Sequence, residues 1–318
     1  MNFIQPNTEV WQQQIPPFTG NQQVFMKLYL TAMYEHIERC GRVCYKSEDK
    51  LGEKDPKIFV DRMIKSEHLS VLEHGTVYLI IPCNEWVDKE EFFESYGANP
   101  YTQFNDDDCD WFNGSGNVYI TTNYRVLVEN NWLGDLEYVT VPCDKHEKRT
   151  TVCFTTDIGV SREANRHRKN SISEESTRYC NYSKEKFGSG INYAVPSDTT
   201  EEEIASALKD LVLSFMSREA LDPTAGVKTD GWDAIHWWLW GLRCCEVSYL
   251  KQVELGRIPQ QARRSLPLNT KTTLVHTAFD SDWQHFWDLR VKGITGMPHP
   301  DMKKVAEIAY NQFEHDTE

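Results

Sequence analysis

The sequence predicts an α+β fold in which helices pack around a small antiparallel sheet. Long segments carry apolar side chains at helical spacing, and shorter segments show the alternation and β-branched content of strands. The composition, with 40% hydrophobic and 26% charged residues, is that of a globular chain able to bury a core. No internal repeat divides the 318 residues, so we expect one domain over residues 1–318 with an inserted segment.

The spacing of apolar residues predicts the helices and the strand of the N-terminal third of the chain. Residues 24–47 place apolar side chains at helical spacing and predict an amphipathic helix, and a second helix is predicted over residues 56–66. Residues 69–82 alternate and are rich in β-formers, which predicts a strand.

An acidic segment rich in Gly and Asn, residues 84–150, is predicted to be an insertion. Two strand-like pieces lie within it, at 117–128 and 136–142, so the insertion should be rich in β-structure.

The C-terminal half resumes with a predicted strand at 150–157 and a helix at 160–168. Ser and Thr hydroxyls followed by three glutamates at 197–203 indicate the start of a helix whose apolar stripe reaches Phe215. Pro223 and Gly226 predict a loop. Further helices are predicted at 231–254, 281–292 and 300–313.

The net charge of 34 − 48 = −14 excludes a general nucleic-acid or membrane binder, because such affinity depends on neutralising phosphates. The charge is uneven. Residues 84–110 contribute 1 − 9 = −8, residues 198–203 contribute −4 and residues 314–318 contribute −3, so the remainder nets +1. Residues 161–178 hold five Arg or Lys against three Glu, and so a small anionic ligand remains compatible with the acidic total.

Nine cysteines without any CxxC spacing indicate reduced, buried thiols in an intracellular protein. The first residues lack a basic and then apolar leader, and no apolar run is long enough to span a bilayer, so a soluble cytoplasmic protein is expected. Cys83 and Cys143 have no adjacent basic residue and are not predicted as nucleophiles. No dinucleotide-binding, P-loop or zincin motif occurs, and no metal site is predicted.

The most informative segment is Arg166-His167-Arg168-Lys169, followed by residues 173–179. Guanidinium groups bind phosphates through paired hydrogen bonds. Glu174, Ser176 and Arg178 alternate and would share one face of an extended segment, where they could line a nucleotide pocket. A solvated basic turn with surface ion pairs is the alternative, as is a short nucleic-acid patch.

Two other segments carry candidate groups. Arg263 lies before the helix-breaking Pro267, with Arg290 downstream on an aromatic-rich helix; a cation complementing a helix dipole is the ordinary alternative. Glu73 and His74 could form an acid–base pair or hold ribose hydroxyls, or could simply end a turn before a strand.

Arg166-His167-Arg168, seven residues and then Ser176 form an R-H-R-x7-S signature that resembles the one of the flavin-dependent thymidylate synthases. Other segments are similar to family motifs and occur in the family's order. These are Arg42–Tyr45, Ser70–His74, Gln261–Pro267 and Leu289-Arg290. The resemblance covers about residues 40–82 and 150–313.

The resemblance implies a catalytic domain that methylates dUMP reductively to dTMP, with FAD as cofactor, and methylenetetrahydrofolate and NADPH as co-substrates. It also implies a homotetramer with sites shared between subunits. Arg290 matches the catalytic arginine that polarises the uracil ring at N3, and Arg178 and Arg263 match phosphate ligands. The dUMP set it implies is Glu163, Arg166, Glu174, Ser176, Arg178, Arg263 and Arg290. The FAD set is Ser70, Glu73, Arg166, His167, Arg168, Glu174 and His285.

The chain departs from the family's pattern at several places. Glu163 replaces the usual Gln, Ser173 replaces a common Asn, and Phe279-Asp280-Ser281 replaces an Asn-rich flavin segment. The compact members have no counterpart to residues 84–150. Two alternatives therefore stay open, an enzyme that makes another 5-substituted deoxyuridylate, such as the hydroxymethyl one, and a non-catalytic nucleotide-binding homologue.

Overall fold

The fold is α+β, as predicted, with helices packed around small, mostly antiparallel sheets. The computed structural model describes residues 1–86, 89–187, 190–215, 229 and 231–315; the predicted loop at Pro223 and Gly226 lies outside them. The strands are β1 Asn2–Ile4, β2 Asn7–Trp11, β3 Thr76–Pro82, β4 Gln103–Asn105, β5 Asn117–Asn123, β6 Arg149–Asp157, β7 Ser171–Glu174, β8 Asn192–Ala194 and β9 Lys271–Phe279. The helices are α1 Gln22–Tyr45, α2 Pro56–Lys65, α3 Lys89–Phe92, α4 Tyr124–Asn130, α5 Ile158–Ala164, α6 Glu201–Phe215, α7 Ala234–Glu254, α8 Pro259–Ala262, α9 Asp280–Arg290 and α10 Pro300–His315.

Two antiparallel sheets form the framework. The first has the order β2-β6-β9-β7, and its longest pairing joins β6 to β9 from Arg149 opposite Phe279 to Asp157 opposite Lys271. The second has the order β3-β5-β4 and is built largely from the acidic segment. A parallel pair of β1 and β8 joins the chain start to residues 192–194.

The apolar cores of the two sheets are separate, and helix α1 packs against both sheets. Side chains of α1, such as Phe25 and Ile37, pack with Ile120 and Leu127 of the acidic segment. On the other face of the first sheet, Phe154 packs with α5, α9 and α10. The acidic segment is therefore packed onto α1 and does not stand apart from the rest of the chain.

Helix ends explain why most of the predicted helices form where they do. Asn21 caps α1 by accepting the Val24 N–H, and Lys46 ends it in the left-handed conformation with φ of 46°. Asp55 caps α2 in the same way, and Pro56 occupies its first turn. Asp157 accepts the Val160 N–H at 2.7 Å and begins α5 directly at the end of β6.

Three strand predictions were wrong in part. Residues 69–74 form a 3-10 turn, which Gly75 closes by donating its N–H to the Leu72 carbonyl, and the strand begins only at Thr76. The strand predicted over 117–128 ends at Asn123, whose side chain accepts the Val126 N–H and starts α4. Residues 133–138 form a 3-10 helix, so only a single bridge, Leu79 to Val139, pairs this segment with β3.

Other differences concern strands that were not predicted and a helix that ends early. The central strand β9 was missed, although Thr272, Thr273 and Val275 gave a β-branched signal. The helix predicted over 160–168 ends at Ala164, so the three residues 166–168 follow the helix rather than belonging to it.

The prediction that all cysteines are reduced was also wrong. Cys83 and Cys109 form a disulfide that ties the end of β3 to the loop between β4 and β5. The other seven are free thiols, three of them buried: Cys40, Cys153 and Cys180. Within the described ranges, no helix is long and apolar enough to span a bilayer.

We predict that Gly41→Val lowers the free energy of unfolding by about 2 kcal/mol or more, measured by urea denaturation, because overpacking a tight interface forces its neighbours apart. A Cβ at Gly41, inside α1, would lie 2.5 Å from Val71 Cγ1 and 2.7 Å from Phe59 Cζ. Gly241, inside α7, has nothing within 4 Å and provides the matched control. Gly241→Ala should leave stability unchanged or raise it by up to about 1 kcal/mol. Equal effects of the two substitutions would contradict the packing described for α1.

Candidate active site

The C-terminal ends of two helices meet at Arg290, the last residue of α9. The guanidinium Nη1 donates to Glu163 Oε2 at 3.0 Å and Nη2 donates to the Glu163 carbonyl at 2.8 Å. Its Nε donates to His167 Nε2 at 3.2 Å. Arg290 is thereby joined to His167, 123 positions earlier in the chain, and to Glu163, 127 positions earlier. The three residues form one cluster of half-buried polar groups.

The protonation state of His167 follows from these contacts. Burial, then the Arg290 cation, then His285 lower the pKa of His167 to about 4, so the ring is neutral at pH 7. Because Nε2 accepts the Arg290 N–H, the ring proton must lie on Nδ1. His167 packs on Phe286 with ring centroids 4.5 Å apart, which fixes the imidazole plane.

Cationic side chains surround this cluster on its exposed side. Arg166 is 72% exposed and reaches Glu163 only at 3.8 Å, whereas Lys169 pairs with Asp282 at 3.3 Å. Arg168 is exposed, and so is His285, whose ring lies 5.8 Å from that of His167. Glu163 is the carboxylate that partly neutralises two of the arginines.

A second group of predicted residues lies where β7 ends. Arg178 Nε donates to Gln260 Oε1 at 3.3 Å, and Arg263 Nη1 donates to Thr177 Oγ1 at 3.2 Å, so the structure brings these two arginines to neighbouring positions. Both are exposed. Both donate to neutral oxygens, and among the described residues neither has a carboxylate within ion-pair distance.

The alternation predicted for Glu174, Ser176 and Arg178 was wrong. The strand stops at Glu174 and residues 177–179 turn, so these side chains do not share one face of an extended segment. The turn is anchored because the Ser176 N–H donates to the Cys44 carbonyl at 3.0 Å at the end of α1. Ser176 Oγ accepts the Arg178 N–H at 3.3 Å, a local contact that orients the arginine's backbone.

Glu174 joins the end of β7 to the end of α5 and to β9. Its carboxylate accepts from Asn165 Nδ2 and from Thr272 Oγ1, both at 3.1 Å. Asn165 ends α5 and its Oδ1 lies 3.2 Å from His276 Nε2. Asn165 was not identified from the sequence; its place directly before Arg166, where a helix gives way to a turn, is the signal that could have found it.

The residues predicted from the Ser70–His74 segment have different environments. Ser70 is exposed, but Glu73 is buried and its carboxylate accepts a charge-assisted bond from Arg125 at 2.5 Å. His74 is fully buried between Thr277 Oγ1 at 2.7 Å and Ser173 Oγ at 2.9 Å. With these side chains engaged elsewhere, Glu73 and His74 do not form the acid–base pair considered from the sequence.

The departures from the family's pattern all have partners in the structure. Ser173 takes part in the His74 contact, Glu163 holds Arg290, and Phe279 is buried at the end of β9. The Ser281 N–H donates to Glu147 Oε1 at 3.0 Å. The buried Phe279 offers no polar group to a cofactor.

A chain of buried hydrogen bonds lies between α1 and the first sheet, beneath the site. It joins His36 to Thr151 at 2.9 Å, Thr151 to Thr277 at 2.7 Å, and Thr277 through His74 to Ser173. Burial lowers the pKa of His36 to about 3 and that of His74 well below its usual range. This neutral network fixes the start of β7 relative to α1.

One expectation about cysteine reactivity needs correction. Cys143 has a histidine beside it after all, with its Sγ 3.4 Å from His146 Nδ1. That nitrogen also accepts the Cys143 N–H at 3.2 Å, while Nε2 contacts the Leu79 carbonyl, so the ring already has structural partners. Among the described residues, no group of three or more His, Cys, Asp or Glu side chains is arranged to hold a metal ion.

A family model described as thymidylate synthase complementing protein matches residues 146–316, which is 171 of the 318 residues and more than half of the chain. The chain therefore belongs to this family, the flavin-dependent thymidylate synthases. Its members modify nucleotides, and the protein is accordingly a nucleotide-modifying enzyme. The clusters around Arg290 and around Arg178 and Arg263 both lie inside the matched range, whereas Ser70 and Glu73 lie outside it.

Solved structures that this chain resembles include a UMP/dUMP methylase PolB from Streptomyces cacaoi bound with 5-Br dUMP. It has a TM-score of 0.42 and 15% identity, covering 98% of this chain and 92% of that chain. The same protein bound with 5-Br UMP gives a TM-score of 0.40 and 13% identity, covering 98% and 91%. No curated protein sequence matches the chain significantly.

We predict that Arg290→Met raises the pKa of His167, measured by NMR titration of the ring Cε1 proton. Removal of a neighbouring cation favours the protonated ring, typically by about one pKa unit, while the larger effect of burial remains. Arg162→Gln, an exposed change on the same helix as Glu163, is the control and should leave the His167 titration unchanged. An unaltered pKa in the Arg290→Met variant would show that the two side chains are not in contact in solution.

We also predict that acid weakens the fold. Histidines in the unfolded chain take up protons near pH 6.5, whereas the buried histidines of the folded chain stay neutral there. The free energy of unfolding therefore falls as the pH is lowered through 6.5. The pKa of His276, like that of His36, is lowered to about 3, so between pH 7.5 and 5.0 each costs about 2 kcal/mol.

Urea denaturation at a series of pH values measures this slope. In the His36→Gln variant, the glutamine can still bond Thr151 but does not titrate. The free energy of unfolding should therefore depend less steeply on pH than in the wild-type chain. His299→Gln, at an exposed position, should give a parallel curve. A His36→Gln curve parallel to wild type would contradict the buried, neutral state of His36.

Proposed function

We propose that the protein catalyses the reductive methylation of dUMP to dTMP, with reduced FAD as hydride donor and methylenetetrahydrofolate as carbon donor. The observation that carries the proposal is the convergence of Arg290 with Glu163 and His167, beside the exposed Arg166 and Arg168. Such a cluster offers a preorganised positive charge at a partly buried position, which is what stabilises negative charge developing on a pyrimidine ring.

The nucleotide phosphate is assigned to Arg178 and Arg263. Their guanidinium groups are exposed, adjacent through Thr177 and Gln260, and bonded to neutral oxygens that a phosphate can replace. Paired guanidinium groups bind phosphate with charge-assisted hydrogen bonds, which are about twice as strong as neutral ones. Ser176 and Glu174 lie between this group and the Arg290 cluster along the chain, where the sugar would be held.

Arg290 has the role of binding the pyrimidine, and Glu163 controls its availability. All three of the guanidinium's nitrogens are engaged by Glu163 and His167, so the arginine is fixed in position before a ligand arrives. Nη1 and Nη2 each keep one further N–H, and these are the donors that the pyrimidine can use.

The side chains available for FAD fit the group in part. Arg166, Arg168, His285 and Ser70 are exposed, and their donors suit a diphosphate and a ribityl chain. Glu73 is engaged by Arg125 and would not reach a ligand without losing that ion pair. When bound, FAD supplies the hydride and NADPH regenerates its reduced form; the residues above bind and orient it.

A homotetramer with shared sites is part of the proposal. The exposed positions of Ser70, Arg166 and Arg168 leave these predicted ligands open to a neighbouring subunit. Helix α7 also exposes Trp237 and Val247, 51% and 48% accessible, an apolar surface of the kind that packs against another chain. Light scattering of the purified protein measures the subunit number directly.

We predict that the protein releases tritium from [5-³H]dUMP when supplied with FAD, methylenetetrahydrofolate and NADPH. Arg290→Ala should reduce kcat by roughly 10²–10³-fold, as expected when one preorganised donor to a developing charge is lost. Arg263→Ala should mainly raise KM for dUMP, because it removes binding to a group distant from the reacting atoms. Arg162→Gln is the matched control and should retain wild-type rates.

Activity that survives Arg290→Ala would refute the role of Arg290, and the absence of any turnover or of FAD uptake would refute the proposed reaction. Mass spectrometry of the product distinguishes dTMP from another 5-substituted deoxyuridylate. A hydroxymethyl product would replace the reaction proposed here while keeping the nucleotide site.

A further inference from the structure

A cavity of about 470 Å³ lies where the acidic segment's sheet meets the rest of the chain. Gln13 and Thr76 form one wall, Tyr78 of β3 and Arg149 of β6 lie in its lining, and Phe313 of α10 closes an apolar side. The volume is in the range of small-molecule sites. None of the residues assigned above to dUMP or FAD lines it.

Arg149 is the unusual feature of this cavity. It is 8% exposed, and among the described residues no carboxylate lies within ion-pair distance of its guanidinium. The Nη atoms donate to the Glu73 carbonyl, Thr76 Oγ1 and Ser171 Oγ, all uncharged, while Nε is buried without any partner. Burial lowers the pKa of Arg149 to about 10, so it remains a cation at neutral pH.

A buried charge without a counter-charge is costly, because desolvation is not offset by a partner of opposite sign. Native structures therefore place an opposite charge, a carboxylate or a bound anion, beside a buried cation. The carboxylates of Glu73 and Asp282 act on Arg149 only from beyond ion-pair distance, and each is already paired with another cation, Arg125 and Lys169 respectively. The direct counter-charge of Arg149 is therefore missing among the described residues, which indicates that it comes from outside the chain.

Two further donors point to the same conclusion. Tyr78 is 5% exposed, and its hydroxyl oxygen accepts the backbone N–H of Arg149 at 3.4 Å; among the described contacts, no acceptor takes its proton. Lys148 also lines the cavity, is exposed, and has no ion pair within the described part of the chain. Asp280 is the one carboxylate in the lining, and its Oδ1 already accepts the Thr150 hydroxyl at 2.8 Å.

We infer that this cavity is a second ligand site that binds a small organic anion, with its charged group taken by Lys148, Arg149 and Tyr78. The apolar lining by Val10, Ile15, Pro142 and Phe313 suits an aromatic or aliphatic body attached to that group. A carboxylate and a phosphate ester share the required chemistry. The site depends on the acidic segment, because Pro142, Lys148 and Arg149 of that segment provide part of its wall.

The site is tested with the full-length protein and phenyl phosphate as probe, by isothermal titration calorimetry. Saturable binding is expected, and phenol, which lacks the charge, should bind at least roughly tenfold more weakly. Benzoate should compete with phenyl phosphate if a carboxylate is accepted. Failure of phenol to differ from phenyl phosphate would overturn the inference.

Substitutions of lining residues test whether phenyl phosphate binds in this cavity. Lys148→Gln changes an exposed side chain and Tyr78→Phe removes only a hydroxyl, so both should fold, and each should weaken phenyl phosphate binding roughly three- to tenfold. Lys65→Gln, at an exposed lysine outside the lining, is the matched control and should have no effect.

Arg263→Ala separates this site from the proposed nucleotide site and should leave phenyl phosphate affinity unchanged. Binding that is lost in Arg263→Ala but kept in Lys148→Gln, or no saturable binding at millimolar probe, would contradict the inference. Because turnover of dUMP is not measured, the result stands independently of the proposed reaction.

Discussion

The nine-residue pairing of β6 with β9 is the constraint on which the site depends. Helix α5 begins at the end of β6, and α9 begins at the end of β9, which is the opposite end of the paired region. Nine paired residues span about 27 Å, and helices of seven and eleven residues span about 10 and 16 Å. Two helices that turn back over the sheet from opposite ends therefore meet at their C-termini, which is where Arg290 contacts Glu163 and His167.

Electrostatic balance differs between the two sides of this sheet. Above it, the Arg290 cation is compensated by Glu163 and accompanied by exposed arginines, so charge is available to a ligand. Beneath it, histidines are buried and neutral, and their contacts are with threonine and serine hydroxyls. Such a network positions β7 without adding charge under the site. Glu163 is the carboxylate that provides this compensation, through its contact with Arg290 at 3.0 Å.

Helices were predictable where their signals are local. The apolar stripe of α1 and the caps at Asn21 and Asp55 lie within a few residues of the helices they define. The strand β9 depends on pairing with β6, which lies more than 100 positions earlier in the chain. Its β-branched residues alone did not suffice to predict the strand. The end of β5 at Asn123 was missed because a side-chain cap overrode an apolar run.

The site shows the same division between local and distant signals. The signature around Arg166 to Ser176 and the arginines at 263 and 290 could be identified from their order along the chain. The partners of the candidate residues could not be identified in this way. Only the fold brings Glu73 to Arg125 and His74 to Thr277. Arg149 shows no signal at all in the sequence, because its lack of a carboxylate partner is a property of its surroundings.

The measurement that tests the account most directly is a crystal structure of the protein with dUMP. We predict that the pyrimidine ring lies within hydrogen-bonding distance of the Arg290 guanidinium. The phosphate should contact Arg178 and Arg263. A nucleotide bound with its ring away from Arg290, or with its phosphate on other residues, would contradict the account.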